Sequence, residues 1–564
     1  MRLFILSLFL CLLLGDTYGQ VLQYKTIKSL HQAPGCEFPV TDEINHHYVP
    51  YNYVDRGIKV RNTVVNVQYG TTVPSSAKTA MDEVVRIISE LFPTDIPINI
   101  FLIFDDDLGE GTLASAGTIG WLENFPNAPK LNTLYPWALA EKLSQTEINA
   151  PGDPDLFIFV NAEQNWYYDF SNPGAIGTRF DFVSVILHEV LHGLGFAART
   201  NVEEGNGFIF FPQENLFSAF TDFIYDGSGM KLTDFSEGSM ELGSSLTGNN
   251  VVYRLESSTD QYKLFAPAVF NRGSSISHLD ETTYNNTDNS LMTPTIFRGE
   301  IERGFGGALD MMYDLGWNHT YILHELPEPT VEKPIDEDFV VNVSVESDSE
   351  IKEGSLTLFY SFDGFVSENQ EIQMELMEGN NYRATIPAPG IEEVVDYYFT
   401  VEDTRNKLFS QPGIDVLFNR NSTYRYTFGP DRVPPFISHV PVETVSNQDV
   451  GFNVEARVTD EFTGVDTVMV EWRLNGADQP EAGLSLDKDN LFEDDLYMGR
   501  VEFGRKLDVD DVLEYRVLAL DKGSIPNTGR TLRGGRYYQV SIVPSLEPVL
   551  TYSNDFDTPS EDFE

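Results

Sequence analysis

The apolar pattern of this chain changes period once, and that change limits the fold more than any other feature. In the first part, strand-like runs at Ile58–Val67, Asn99–Phe104 and Asp155–Val160 are interleaved with segments of helical spacing. Those segments are Ser75–Phe92, where Met81, Val84, Val85, Ile88 and Leu91 recur at helical intervals, and Phe180–Leu194. A short amphipathic helix at Gly307–Trp317, ending at Gly316, closes this part. Interleaved strands and helices predict an α+β domain. Beyond Asp338 the apolar residues alternate with period two, which predicts strands with one buried face.

The second part also repeats itself. Leu358-Phe359-Tyr360-Ser361-Phe362-Asp363-Gly364 is matched by Val470-Glu471-Trp472-Arg473-Leu474-Asn475-Gly476. Asp396-Tyr397-Tyr398-Phe399 with Asp403 is matched by Glu514-Tyr515-Arg516-Val517 with Asp521. Turn signals about every ten residues and one central aromatic predict two β-sandwiches of roughly 100 residues each, similar to immunoglobulin-like or fibronectin type III modules. The stretch Leu326–Asp338, rich in Pro and Glu, has linker chemistry. For 564 residues, at about 100–200 per domain, three or four domains are expected. The divisions fall at 1–19 for a leader, 20–57 for an N-terminal arm or short pro-segment, and 58–325 for the α+β domain. A linker at 326–338, sandwiches at 339–430 and 431–545, and an acidic tail or truncated further module at 546–564 complete the chain.

The leader sets the expected compartment. Arg2, the apolar run Leu3–Leu14 and Thr17-Tyr18-Gly19 read as a secretory signal peptide. A spanning helix needs about 20 apolar residues, and Asp16 ends the run sooner. The protein is therefore expected to be secreted, with no transmembrane segment. Without residues 1–19, Cys36 is the only cysteine, so no intramolecular disulfide can form. The 87 acidic and 37 basic side chains give a formal charge of −50. Such a surface repels phosphate backbones and excludes a nucleic-acid partner.

The chemistry is concentrated between Asp181 and Phe196. Helical spacing places His188 and His192 one turn apart on the same face, where two imidazoles can reach one Zn²⁺ at about 2.0–2.1 Å. Glu189 follows the first ligand and projects beside the metal, where it can take a proton from a water that the metal acidifies. Gly195 lets the chain leave the helix by a left-handed turn. An acid inside an otherwise apolar run would be costly on a purely structural helix. A catalytic zinc needs a third protein ligand. The position six residues after His192 is Ala198, and His278 is the other histidine between residues 48 and 318. Carboxylates at Glu203, Glu204 and Glu214 are alternative third ligands, although none sits in a helical ligand motif.

Taken together, His188-Glu189-x-x-His192-x-x-Gly195-Phe196, then His278, then Leu291-Met292-Thr293-Pro294 and a closing Asp314-Leu315-Gly316-Trp317 resemble the leishmanolysin-like metzincins and similar secreted bacterial zinc proteases. The resemblance covers roughly residues 60–317. It implies that His278 is the third zinc ligand and that Met292 forms an apolar floor beneath the metal. It also implies that the stretch of about 197–277 belongs to a substrate-facing lower subdomain. The fold expected is thus multidomain, a metzincin-like α+β catalytic domain followed by two all-β sandwiches.

Other features carry less. Asp105-Asp106-Asp107-Leu108-Gly109-Glu110 reads as a solvated acidic turn, with Ca²⁺ binding the second reading because the alternating ligands of an EF-hand loop are missing. Cys36 is read as an unpaired thiol, with temporary zinc ligation over an active site as the second reading. Trp166-Tyr167-Tyr168 either lines a cleft or packs in the core. Asn285, Asn318, Asn342 and Asn421 open N-x-[ST] sequons. The expected function is a secreted zinc endopeptidase acting on protein or peptide substrates, with Glu189 as general base. Its rival is an inactive adhesive protein that binds surface polymers or proteins through its sandwiches.

Overall fold

The computed structural model describes residues 44–545 and the pairs 27–28 and 35–36. Positions 60, 62, 107, 109–111, 126, 210–215, 325–331, 368, 413, 416–419, 422, 461, 488–494 and 533 are excepted. The leader 1–19, the tail 546–564 and Glu214 lie outside the described residues, as do parts of the linker and of the acidic turn at 105–110. Among the described residues no helix is long and apolar enough to cross a membrane. The chain is rich in β-sheet, with few helices, and divides into two compact units. The first comprises residues up to 325 with 340–386 and 396–424; the second comprises 326–339, 387–395 and 425–564.

The first unit is built on a mixed sheet. Strands β1 (Val65–Tyr69), β2 (Ile98–Asp105), β3 (Ala114–Thr118) and β4 (Leu156–Asn161) are joined in the order β3-β4-β2-β1. β1, β2 and β4 are parallel, and β3 runs antiparallel to β4 with Ala114 opposite Val160. Gly35–Cys36 pairs antiparallel with the outer edge of β3. Within the alternation expected from Ile58, Val65–Tyr69 forms the strand that pairs with β2.

Helix α1 (Ser75–Leu91) follows β1 and buries Ala77, Ala80, Met81, Val84, Ile87, Ile88 and Leu91 along one face. Helices α2 (Trp137–Ser144) and α3 (Phe182–Leu194) flank β4 in the chain. Every residue of α3 is buried, and it packs against α1, β3 and β4. Gly193 permits the closest approach, since a Cβ there would lie 2.8 Å from Leu156. The closing segment contains α4 (Gly306–Met312) and a wide turn at Tyr313–Trp317 in which Gly316 has φ +140°. Trp317 is buried, and its Nε1 donates to the Leu194 carbonyl at 3.0 Å, which ties this segment to the end of α3.

Residues on both sides of the expected α+β domain also belong to this unit. Tyr48–Val49 runs parallel to Ile301–Glu302, and Arg56 pairs with Asp310 at 3.1 Å, so described parts of the arm expected at 20–57 belong to this unit. β5 (Thr320–Leu323) pairs antiparallel with β6 (Phe339–Ser347), opening the first β-sandwich before the linker. In that sandwich β7 (Thr357–Ser361) pairs with β8 (Glu393–Glu402), and Val341, Val343, Val345, Leu358, Tyr397 and Phe399 are buried. The sandwich is locked to the sheet domain by buried charges. Lys142 Nζ lies 2.7 Å from Asp348, and Arg61 Nε lies 2.9 Å from the same carboxylate. Asn318, buried against Asp403, is a sequon that no transferase could reach in the folded chain.

The second unit carries the second repeat. Its strands are β9 (Phe436–Ser438), β10 (Thr444–Ser446), β11 (Gly451–Thr459), β12 (Val465–Leu474), β13 (Ala482–Leu486), β14 (Leu496–Glu502), β15 (Leu513–Asp521) and β16 (Tyr538–Val543). They are joined in the order β9-β11-β14-β13-β12-β15-β16-β10. The alternating pattern buries Val454, Ala456, Val470, Trp472, Tyr515 and Val517 in one core.

Candidate metal centre

The site is assembled on α3. Asp181 caps its N-terminus, the carboxylate accepting the Ser184 amide at 3.0 Å and the Ser184 hydroxyl at 2.6 Å. The same carboxylate receives Arg303 through Nη2 at 2.8 Å and Nε at 3.0 Å, a buried two-pronged pair that pins the segment 301–303 to the start of the helix. Trp166 and Tyr167 are buried beside this end, Trp166 Nε1 donating to the Asn161 carbonyl at 2.8 Å. The aromatic run therefore packs in the core at these two positions.

One turn apart on α3, His188 and His192 bring their Nε2 atoms to 3.0 Å of each other. His278 comes from the loop 274–280, and its Nε2 lies 3.2 Å from each of the other two. The three rings are buried, and each Nδ1 faces a main-chain carbonyl. His188 reaches Leu291 at 2.6 Å, His192 reaches Phe196 at 2.7 Å, and His278 reaches Ser274 at 2.8 Å. A carbonyl only accepts, so each Nδ1 carries the proton and each Nε2 presents its lone pair to the centre. Three converging lone pairs, with Nδ1 held by carbonyls, form a group that could hold a metal ion. Burial pushes all three imidazoles below their ordinary range, His192 to about 4, which keeps them in the neutral form a metal requires.

The remaining residues take defined places. Neither oxygen of the buried Glu189 carboxylate meets a close hydrogen-bond donor, and burial pushes the group up to about 8, opposed by the more distant Ala116 amide of β3. Met292 is fully buried in the turn Ser290–Met292, and its carbonyl accepts the Leu279 amide at 2.8 Å, so this turn is tied to the residue after His278. Leu291 in the same turn orients His188. Gly195 has φ +125°, and a Cβ there would lie 2.8 Å from Leu315. Its turn delivers the Phe196 carbonyl to His192. Glu203 and Glu204 are exposed and do not join the group.

Sequence reasoning did not find the orienting carbonyls of Leu291, Phe196 and Ser274, because every residue offers one and only the fold selects among them. Asp181 was accessible as a capping acid just ahead of an apolar run. Its partner Arg303 carried no local signal.

A family model described as SPBPB7E8-like matches residues 66–234, a span that includes His188, Glu189 and His192 but not His278. No curated protein matches the chain. Among solved structures, one match is to the fibronectin(III)-like modules of Clostridium thermocellum CbhA. It has 11% identity and covers 42% of this chain and 100% of that one, with a TM-score of 0.14. A superposition that loose carries no argument about fold or function.

Proposed function

We propose that this protein is a secreted zinc-dependent endopeptidase whose first unit has a metzincin-like catalytic fold. The observation that carries this reading is the convergence of three buried, neutral imidazoles within 3.2 Å, beside a buried glutamate that meets no close hydrogen-bond donor. His188, His192 and His278 would hold the ion. Bound there, zinc supplies Lewis acidity, polarising a substrate carbonyl and making a water nucleophilic near neutral pH.

The rest of the chemistry belongs to the chain's own residues. Glu189 takes the proton of the attacking water and passes it to the amine that leaves when the peptide bond breaks. Apart from the Ala116 amide, no protein group competes for its oxygens among the described residues. The carbonyls of Leu291, Phe196 and Ser274 keep the three rings oriented through the cycle. Secretion rests on the leader, and Met292 with Leu291 forms the turn that braces His188.

The test is metal analysis of the purified protein followed by cleavage of unfolded casein with and without a chelator. We expect stoichiometric zinc and chelator-sensitive cleavage that returns when zinc is added back. Glu189→Gln is expected to retain zinc while turnover falls by about 10²–10⁴-fold. A Glu189→Gln variant that cleaves at the wild-type rate removes the general-base assignment. Wild-type protein that holds no zinc and cleaves nothing after N-terminal processing leaves the adhesive reading in its place.

A further inference from the structure

A pair of buried acids in the first unit takes no part in the peptidase chemistry. Glu141 lies on α2 and is 1% exposed, and Asp155, directly before β4, is 0% exposed. Asn149, in the loop between them, spans both carboxyls. Its main-chain amide donates to Glu141 Oε1 at 3.3 Å, and its side-chain Nδ2 donates to Asp155 Oδ1 at 2.8 Å. Glu141 Oε1 also accepts the Ile148 amide at 3.0 Å, and Asp155 Oδ2 accepts the Asn99 amide of β2 at 2.7 Å. The two carboxyls therefore join α2 to the sheet through the loop 145–155.

Glu141 Oε2 is buried, and no donor from the protein reaches it. The Asp155 carboxyl, however, lies within hydrogen-bond reach of Glu141. Ionised carboxylates only accept hydrogen bonds, so a bond between these two requires a proton on one of them. No cation stands in for that proton. Lys142, the next residue of α2, is turned to Asp348 at 2.7 Å and to the Pro93 carbonyl at 2.6 Å. Among the described residues no ion pair engages Glu141 or Asp155.

The surrounding elements add no positive charge either. Glu147, on the same loop, faces the pair with a further carboxylate and accepts Asn99 Nδ2 at 3.4 Å. From β2 the neighbour is the neutral Asn99, and from β3 it is Thr118, whose hydroxyl reaches the Asp155 carbonyl at 3.3 Å. Burial raises both carboxyls above their ordinary range, reinforced at Glu141 by Asp155 and at Asp155 by Glu147.

We propose that Glu141 and Asp155 share one proton in the folded protein and so form a pH-sensitive clasp between α2 and the sheet, tightest at mildly acidic pH and released as the pH rises. In the unfolded chain both groups ionise near about pH 4, whereas the folded unit keeps one proton to higher pH. Over that interval the folded state binds one proton more than the unfolded state, so stability falls as the pH rises. Once the proton leaves, two negative charges face each other out of water. The same helix carries Lys142, whose ion pair with Asp348 holds the first sandwich, so opening the clasp loosens that contact as well.

The experiment is denaturant unfolding of the full-length protein at saturating zinc between about pH 6 and pH 9. Tryptophan fluorescence is the readout, since Trp121, Trp137, Trp166 and Trp317 lie in the first unit. Glu141→Gln keeps Oε1 for the two amides and supplies an N–H to Asp155 where the shared proton stood. It is expected to fold and to become more stable relative to the wild type as the pH rises. The ratio of the two unfolding constants should change by up to about tenfold per pH unit. Titrating groups common to both proteins, Glu189 and Glu302 among them, cancel in that ratio. Asp155→Asn is expected to move in the same direction from a lower starting stability, because one of its two acceptor oxygens is lost. The wild type at neutral pH is expected to show the infrared C=O stretch of a protonated carboxyl. A ratio that stays constant with pH in either variant that folds, or absence of that band from the wild type, overturns the proposal.

Discussion

Each histidine of the centre uses one ring nitrogen to fix its orientation and keeps the other for the shared point. Removing His278 therefore takes one of the three converging nitrogens from the centre and leaves the Ser274 carbonyl without its donor. His278→Ala is expected to weaken zinc binding by more than the 10–100-fold that loss of an outer-shell partner causes, measured by competition with a chromogenic chelator. Wild-type zinc affinity in that variant would exclude His278 as a ligand. At this scale the sequence was readable in unequal degree. His188, Glu189 and His192 could be placed from helical spacing alone, because one turn of helix fixes their geometry. His278 lies 86 residues from His192, and no local rule spans such a gap. It was reached by elimination and by resemblance.

At the scale of elements, the site depends on how α3 ends. The chain must turn sharply within three residues of His192 so that the Phe196 carbonyl returns to its Nδ1. Gly195 makes that turn at φ +125°, in contact with Leu315 and Pro136, and a side chain fits neither the backbone conformation nor the space. Gly195→Ala is expected to cost about 1–3 kcal/mol, read as a lower thermal midpoint, and to weaken zinc binding about tenfold through the displaced Phe196 carbonyl. An unchanged midpoint together with unchanged affinity would show that the turn does not position His192. Long periodic elements were legible almost to the residue: α1 runs Ser75–Leu91 where Ser75–Phe92 was expected. Short strands were not, because pairing decides where they begin. The alternation runs on from Ile58, but the register with β2 pairs Val65–Tyr69.

For the molecule as a whole, the decisive interactions join segments that composition would assign to separate domains. Lys142 on α2 is buried, its ammonium held between the Pro93 carbonyl and Asp348 of the first sandwich. Asp348 is itself buried and also meets Arg61. Burial lowers the Lys142 pKa and Asp348 opposes that shift, so the sandwich carboxylate helps keep the ammonium charged in the interior. The Pro- and Glu-rich stretch has linker chemistry, yet composition cannot report which distant acid a buried lysine will find. It follows that the sheet domain does not end where its hydrophobic pattern ends. A chain cut after residue 325 lacks Asp348 and the whole of β6, leaving Lys142 uncompensated and β5 without a partner. Such a fragment is expected to be degraded by low concentrations of protease that leave the full-length chain intact. In the full chain, Asp348→Ala is expected to destabilise the first unit by about 3–5 kcal/mol, measured by denaturant unfolding. If the 325-residue fragment proved as protease-resistant and as stable as the corresponding part of the intact protein, the buried ions would be dispensable, and the first sandwich would be an appendage to the sheet domain instead of part of its fold.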